Sequence, residues 1–202
     1  MLKARIAVLV SGGGTNLQAL IDAEKDGRLT SGNIGLVVSS SAEAYALKRA
    51  ELAGIKGVCV PKKGRSTEKF EDELLSVLDD YGAELIILAG FMCILSEGFV
   101  KRYPDRIINV HPSLIPSFCG EGYYGLRVHE QALKYGVKVT GATVHFVNEV
   151  PDGGRIIAQR AVYIEPDDTP ETLQKRVMRE AEHIILPLAA EKISRLIAEE
   201  KE

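Results

Sequence analysis

Apolar and polar positions fall in blocks that predict strand, loop and helix in turn. Ala4-Arg5-Ile6-Ala7-Val8-Leu9-Val10 is a near-continuous apolar run rich in β-branched residues, the pattern of a strand buried on both faces. Ser11-Gly12-Gly13-Gly14-Thr15-Asn16 follows at once, and Leu17 to Ala23 has helical spacing, so the chain opens as a βαβ unit. Ile34 to Val38 predicts a second strand that ends in three serines. Residues 42–53 predict a helix stopped by Gly54. Val58-Cys59-Val60 predicts a third strand, closed by Pro61. Thr67 to Tyr81 predicts a helix with Phe70, Leu74, Leu75 and Leu78 on one face. Leu85 to Ala89 and Ile107 to His111 predict the fourth and fifth strands, and between them Ser96 caps a short helix through Arg102.

The pattern then changes. Residues 117–125 hold three glycines and three aromatics, which suggests a loop with packing of its own. Val128 to Tyr135 predicts a short helix. Lys138 to Asn148 alternates, with Val139, Gly141, Thr143, His145 and Val147 on one face, and predicts a half-buried strand. A turn at Glu149 to Gly154 leads to a strand over Ile156 to Ile164, so this pair is expected to be antiparallel. Thr169 caps a long final helix with Pro170 at its first position. Leu173, Val177, Ile184, Leu188 and Leu196 form its expected buried stripe, and Pro187 is expected to kink or divide it. The alternation argues for an α/β fold with a largely parallel sheet. Its strand ends at Ser11, Ser39, Gly90 and His111 then share one edge, where such sheets bind ligands.

Candidate chemistry collects at that edge. In Asn109-Val110-His111-Pro112-Ser113-Leu114-Ile115-Pro116 the two prolines end the strand. Asn109 and His111, two residues apart, point the same way. An amide beside an imidazole can stabilise an oxyanion. On its own the octapeptide reads more simply as a polar strand end. The glycine loop can cradle a phosphate, because glycines admit close approach and a helix N-terminus offers free N–H groups. It is not a dinucleotide fingerprint, since Leu17 stands where a third glycine belongs, and no Gly-Lys-Ser/Thr makes it a P-loop. Asp152 is a common turn residue, but folded against His111 it would orient the ring and raise its pKa. His129-Glu130 begins an H-E-x-x-H pattern that Leu133 breaks. His145 reads as structural. Glu182 and His183 lie in the last helix, where either can reach the site. No Cys/His spacing suggests a metal site.

Composition narrows the classes. The 202 residues, 46% apolar, suit one domain with a substantial core. A net charge of −3 argues against a nucleic-acid binder driven by bulk charge. Three scattered cysteines suggest reduced thiols. With no signal peptide and no membrane-length apolar run, the expected location is the cytoplasm, away from the membrane.

Taken in order, Val10 to Ala19, Leu88-Ala89-Gly90-Phe91-Met92, Asn109 to Pro116, His129 to Leu133, Val144-His145-Phe146-Val147 and Asp152-Gly153-Gly154 make the chain resemble the phosphoribosylglycinamide formyltransferases, folate-dependent enzymes of purine synthesis. The resemblance covers nearly the whole chain. It implies a single formyltransferase domain over residues 1–202: a Rossmann-like, mostly parallel sheet flanked by helices, with an antiparallel C-terminal strand pair and a long final helix. It implies transfer of the formyl group of 10-formyltetrahydrofolate to the glycyl amine of 5'-phosphoribosylglycinamide, without a metal. Asn109, a protonated His111 and Asp152 are then catalytic. Gly13, Gly14, Thr15, Asn16 and Glu182 bind the phosphoribosyl substrate. Met92, Cys93, Ile94, Leu95, Asn109, Asn148, Glu149, Val150, Pro151 and Asp152 line the folate pocket. The chain departs from the family pattern at Cys93 and Thr67, where basic residues are usual, and in a longer 120–125 loop. Arg65 and Thr67 are candidate phosphate or folate contacts, with Lys62 and Lys63 nearby. The partners are these two small molecules, and the assembly a monomer or a homodimer. A 10-formyltetrahydrofolate hydrolase shares the triad, but carries an N-terminal domain for which a strand at residue 4 leaves no room. A tRNA formyltransferase wants a further basic C-terminal domain. A non-catalytic nucleotide-binding module is the alternative of another class.

Overall fold

The structure, a computed structural model, describes residues 2–201. One seven-stranded sheet runs through it, in the order β3-β2-β1-β4-β5-β6-β7. Its strands are β1 (Ala4–Val10), β2 (Gly32–Ser39), β3 (Lys56–Cys59), β4 (Leu85–Leu88), β5 (Ile107–His111), β6 (Val139–Phe146) and β7 (Ile156–Tyr163). The first five are parallel, and β6 and β7 add antiparallel to the β5 side. The helices are α1 (Thr15–Lys25), α2 (Tyr45–Leu52), α3 (Thr67–Tyr81), α4 (Glu97–Arg102), α5 (Leu126–Tyr135), α6 (Pro170–Val177) and α7 (His183–Glu199), with a π turn (Met178–Glu182) joining the last two.

Strand alternation divides the core. Ile6, Val8 and Val10 pack with α1 and α7 on one face, while Ala7 and Leu9 pack with Phe70, Leu74 and Leu78 of α3 on the other. That is why β1 reads as continuously apolar. Three N-caps start helices, two of them, Ser96 and Thr169, where the sequence places them. Ser66 and Ser96 accept from Lys69 and Phe99 backbone N–H groups, and Thr169 forms a reciprocal box with Thr172.

Some expectations need correcting. β6 is not half-buried: only Val139 is exposed, because α6 and α7 cover one face and the 113–117 loop the other. Helix α2 begins three residues late, since the Ser39 hydroxyl bonds Ser41 in a turn. The edge strand β3 lies two residues ahead of its expected start. The final helix divides at the π turn rather than at Pro187, which lies inside α7. Leu173 and Val177 are buried as expected, but Leu188 and Leu196 are 56% and 47% exposed. The wide turn takes up one extra residue and rotates everything after it by one position. The buried stripe therefore passes to Ile185, Ala189, Ile193 and Ile197.

Candidate active site

The C-terminal ends of β1, β4 and β5 open onto a cavity of about 1020 Å³. Gly13, Gly14, Thr15 and Asn16 form one end. Met92, Cys93, Ile94 and Leu95 after β4, and Asn148 to Asp152 after β6, line another part; Asn109, His111 and Glu182 also face it. Arg65 and Thr67 are not on its wall. Arg65 is engaged by Glu73, and Thr67 accepts from Lys62 Nζ at 3.0 Å.

Antiparallel pairing of β5 with β6 sets His145 opposite Asn109. The two side chains meet, with Asn109 Nδ2 3.2 Å from His145 Nε2. His145 Nδ1 donates to the Phe146 carbonyl at 2.8 Å, which orients the ring. The 148–154 turn then brings in Asp152, whose φ of 57° is left-handed. Gly154 lets that turn close, since a Cβ there would lie 1.7 Å from the Phe146 carbonyl oxygen. Asp152 Oδ2 lies 3.4 Å from His111 Nδ1, and Oδ1 lies 3.5 Å from His145 Nε2. The Gly120 N–H donates to Asp152 at 2.9 Å. Asn109, His111 and Asp152 thus come together, with His145 Nε2 beside both Asn109 and Asp152. Sequence reasoning placed His145 as structural. Its one available signal was an imidazole among apolar strand neighbours, which needs polar partners when buried.

Burial is the largest influence on both His111 and Asp152. It pulls the His111 pKa below the usual imidazole value, and the Asp152 charge and the Phe118 carbonyl only oppose it. The Phe118 carbonyl accepts from His111 Nε2 at 2.9 Å. Asp152 thus acts upward on the ring, and burial outweighs it. For Asp152 burial acts upward, but the His145 bond, the His111 charge and the Gly120 N–H outweigh it and hold the carboxyl below its usual range. His129 is buried beside the cavity with neither ring nitrogen bonded, and burial pushes it down to about 4, with the His111 charge adding to the effect.

At the other end, α1 starts without a side-chain cap and without an acidic residue in its first turn. Its N–H groups face the cavity free to bind an anion. Gly14, at φ 72°, approaches α2 so closely that a Cβ would meet the Ala46 Cβ at 2.7 Å. The π turn carries Glu182 inward, where Asn16 Nδ2 donates to its Oε2 at 2.6 Å. Burial pushes Glu182 up to about 7, against the Asn16 bond. A raised carboxyl favours the folded state while protonated. Its contribution is full below about pH 4.5 and is lost as pH rises through about 7. Glu182→Gln is thus expected to flatten the fall of melting temperature between those limits, gaining on the order of 2 kcal/mol above them. Melting curves from pH 4 to 8.5 check this; parallel wild-type and variant profiles would contradict it.

Among the described residues, no group of three His, Cys, Asp or Glu side chains is placed to hold a metal ion, and no helix is long and apolar enough to cross a membrane.

A doubly covered α/β sheet with an Asn-His-Asp cluster at its strand ends defines a class. The chain belongs to the formyl transferase family, whose profile matches residues 4–190. Within that family it falls among the phosphoribosylglycinamide formyltransferases. It is 41% identical to the enzyme of that name from Escherichia coli over 184 residues, 91% of this chain and 84% of the relative. It is 44% identical to the human trifunctional purine biosynthetic protein adenosine-3 over 95% of this chain, and spans only 18% of that protein's length. The crystal structure of glycinamide ribonucleotide transformylase 1 from Symbiobacterium toebii superposes with a TM-score of 0.88 at 42% identity, covering 98% of this chain and 89% of that one.

Proposed function

We propose that the protein transfers the formyl group of 10-formyltetrahydrofolate to the glycyl amine of 5'-phosphoribosylglycinamide. The observation that carries this reading is one cavity with a glycine loop and an uncapped helix N-terminus at one end and Asn109, His111 and Asp152 at another. In this reading the phosphate lies against the N–H groups of Gly13, Gly14, Thr15 and Asn16, and Glu182 accepts from the sugar end of the same substrate. Met92 to Leu95 and Asn148 to Asp152 enclose the formyl donor.

The amine nitrogen forms a bond to the formyl carbon, and negative charge gathers on the formyl oxygen. The Asn109 amide and the His111 ring, once Nε2 is released from Phe118, donate to that oxygen. As the carbon–N10 bond breaks, the proton lost by the amine passes to N10, with Asp152 as the carrier. Charge on the oxyanion also raises the His111 pKa, offsetting the burial that lowers it in the free protein. With Nδ1 donating to the Phe146 carbonyl, His145 Nε2 accepts from the Asn109 amide and holds it toward the formyl oxygen, with Asp152 alongside.

The test is steady-state formyl transfer with and without the amine. Consumption of 10-formyltetrahydrofolate is expected to depend on the amine, with formylated product formed in equal amount. Rapid consumption without it would establish a hydrolase, and binding of both ligands without turnover a non-catalytic module.

A further inference from the structure

The glycine loop is not held by its own sequence. Helix α2 grips it from behind. The Ala46 N–H donates to the Gly12 carbonyl at 3.1 Å. One turn on, Arg49 Nε donates to the Gly13 carbonyl at 2.8 Å, and Nη1 donates to Gln18 Oε1 of α1 at 3.0 Å. Two successive carbonyls are thereby drawn toward α2. In a planar trans peptide the C=O of one residue and the N–H of the next point opposite ways. The Gly13 and Gly14 N–H groups must therefore face away from α2. That is the cavity side, since both glycines line the cavity and neither Ala46 nor Arg49 does. Neither N–H has a protein acceptor among the described residues. Two neighbouring N–H groups presented together form an anion-binding concavity.

Arg49 also carries an uncompensated charge. Its neighbours are the Gly13 carbonyl, the Gln18 amide and the face of the Tyr45 ring at 5.1 Å, and no carboxylate pairs with it among the described residues. A cation directly behind the loop adds to the positive end of α1.

We propose that Arg49 is the positioning residue for the substrate phosphate: it acts through the Gly13 carbonyl to turn the loop N–H groups onto the anion, without touching the substrate itself. This rests on the function proposed above, and its test is arranged to fail separately. Arg49→Met removes the donors, and the guanidinium borders a second cavity of about 330 Å³, so the change does not overpack. The KM for 5'-phosphoribosylglycinamide is expected to rise about tenfold, as for a lost charge-assisted contact. The KM for the formyl donor and kcat should stay within about twofold. Equal shifts in both KM values, or none in either, would overturn the proposal. Should R49M not fold, Arg49→Leu, likewise without a donor, carries the same expectation. A second measurement needs no turnover. Inorganic phosphate is expected to raise the melting temperature of wild type and not of the variant. Equal phosphate stabilisation of both would overturn the proposal even for a protein that formylates another amine.

Discussion

Asp152→Asn is expected to lower kcat by about 10²- to 10⁴-fold, the range of a lost proton-transfer group, with little change in either KM. The substitution is nearly isosteric. An amide oxygen can still accept from Gly120 N–H, so the turn held at 2.9 Å should survive. What disappears is the charge that His111 and His145 face at 3.4 and 3.5 Å. Burial already depresses the His111 pKa, and the Asp152 charge is the strongest force acting upward on it. Without the carboxylate the ring is harder still to protonate, and the amine proton has lost its carrier. Stopped-flow turnover beside equilibrium binding of the formyl donor checks both halves. A variant within a few-fold of wild-type kcat would show that Asp152 only shapes the turn.

Asn109→Ala is the second large effect. Removing an oxyanion donor is expected to cost about 10²- to 10³-fold in kcat. The same change strips His145 Nε2 of its 3.2 Å contact, leaving Asp152 as its neighbour in the cavity. Since Asn109 and Asp152 both lie against His145 Nε2 in one cluster, at 3.2 and 3.5 Å, their losses should not multiply. The doubly substituted N109A/D152N protein is expected to be slower than either single variant by far less than the product of the two losses. Strict multiplicativity across this cycle would mean that the two side chains act independently.

Much of this architecture is legible in the chain. The spans of β1, α3 and β5 match their sequence patterns residue for residue, since each rests on local signals: an apolar run, a serine cap, a proline stop. The glycine loop and the Asn109-x-His111 pair were visible for the same reason. His145 was not, because its role depends on which residue of β5 stands across from it. Nor was the fate of Arg65, whose apparent freedom near the phosphate ends in an ion pair with Glu73. Leu188 and Leu196 were misplaced by a single extra residue in a π turn that no cap or glycine announces.

Sequence alone determined the order of elements, the edge of the sheet at which chemistry gathers, and the residue types available there. These follow from periodicity and stereochemistry acting over a few neighbouring residues. Tertiary structure alone decided that Asp152 reaches His111, that His145 meets the Asn109 amide, and that burial lowers the imidazole pKa while raising that of Glu182. Those outcomes depend on cross-strand register and on exclusion of water by groups far apart in the chain, and no local pattern encodes either.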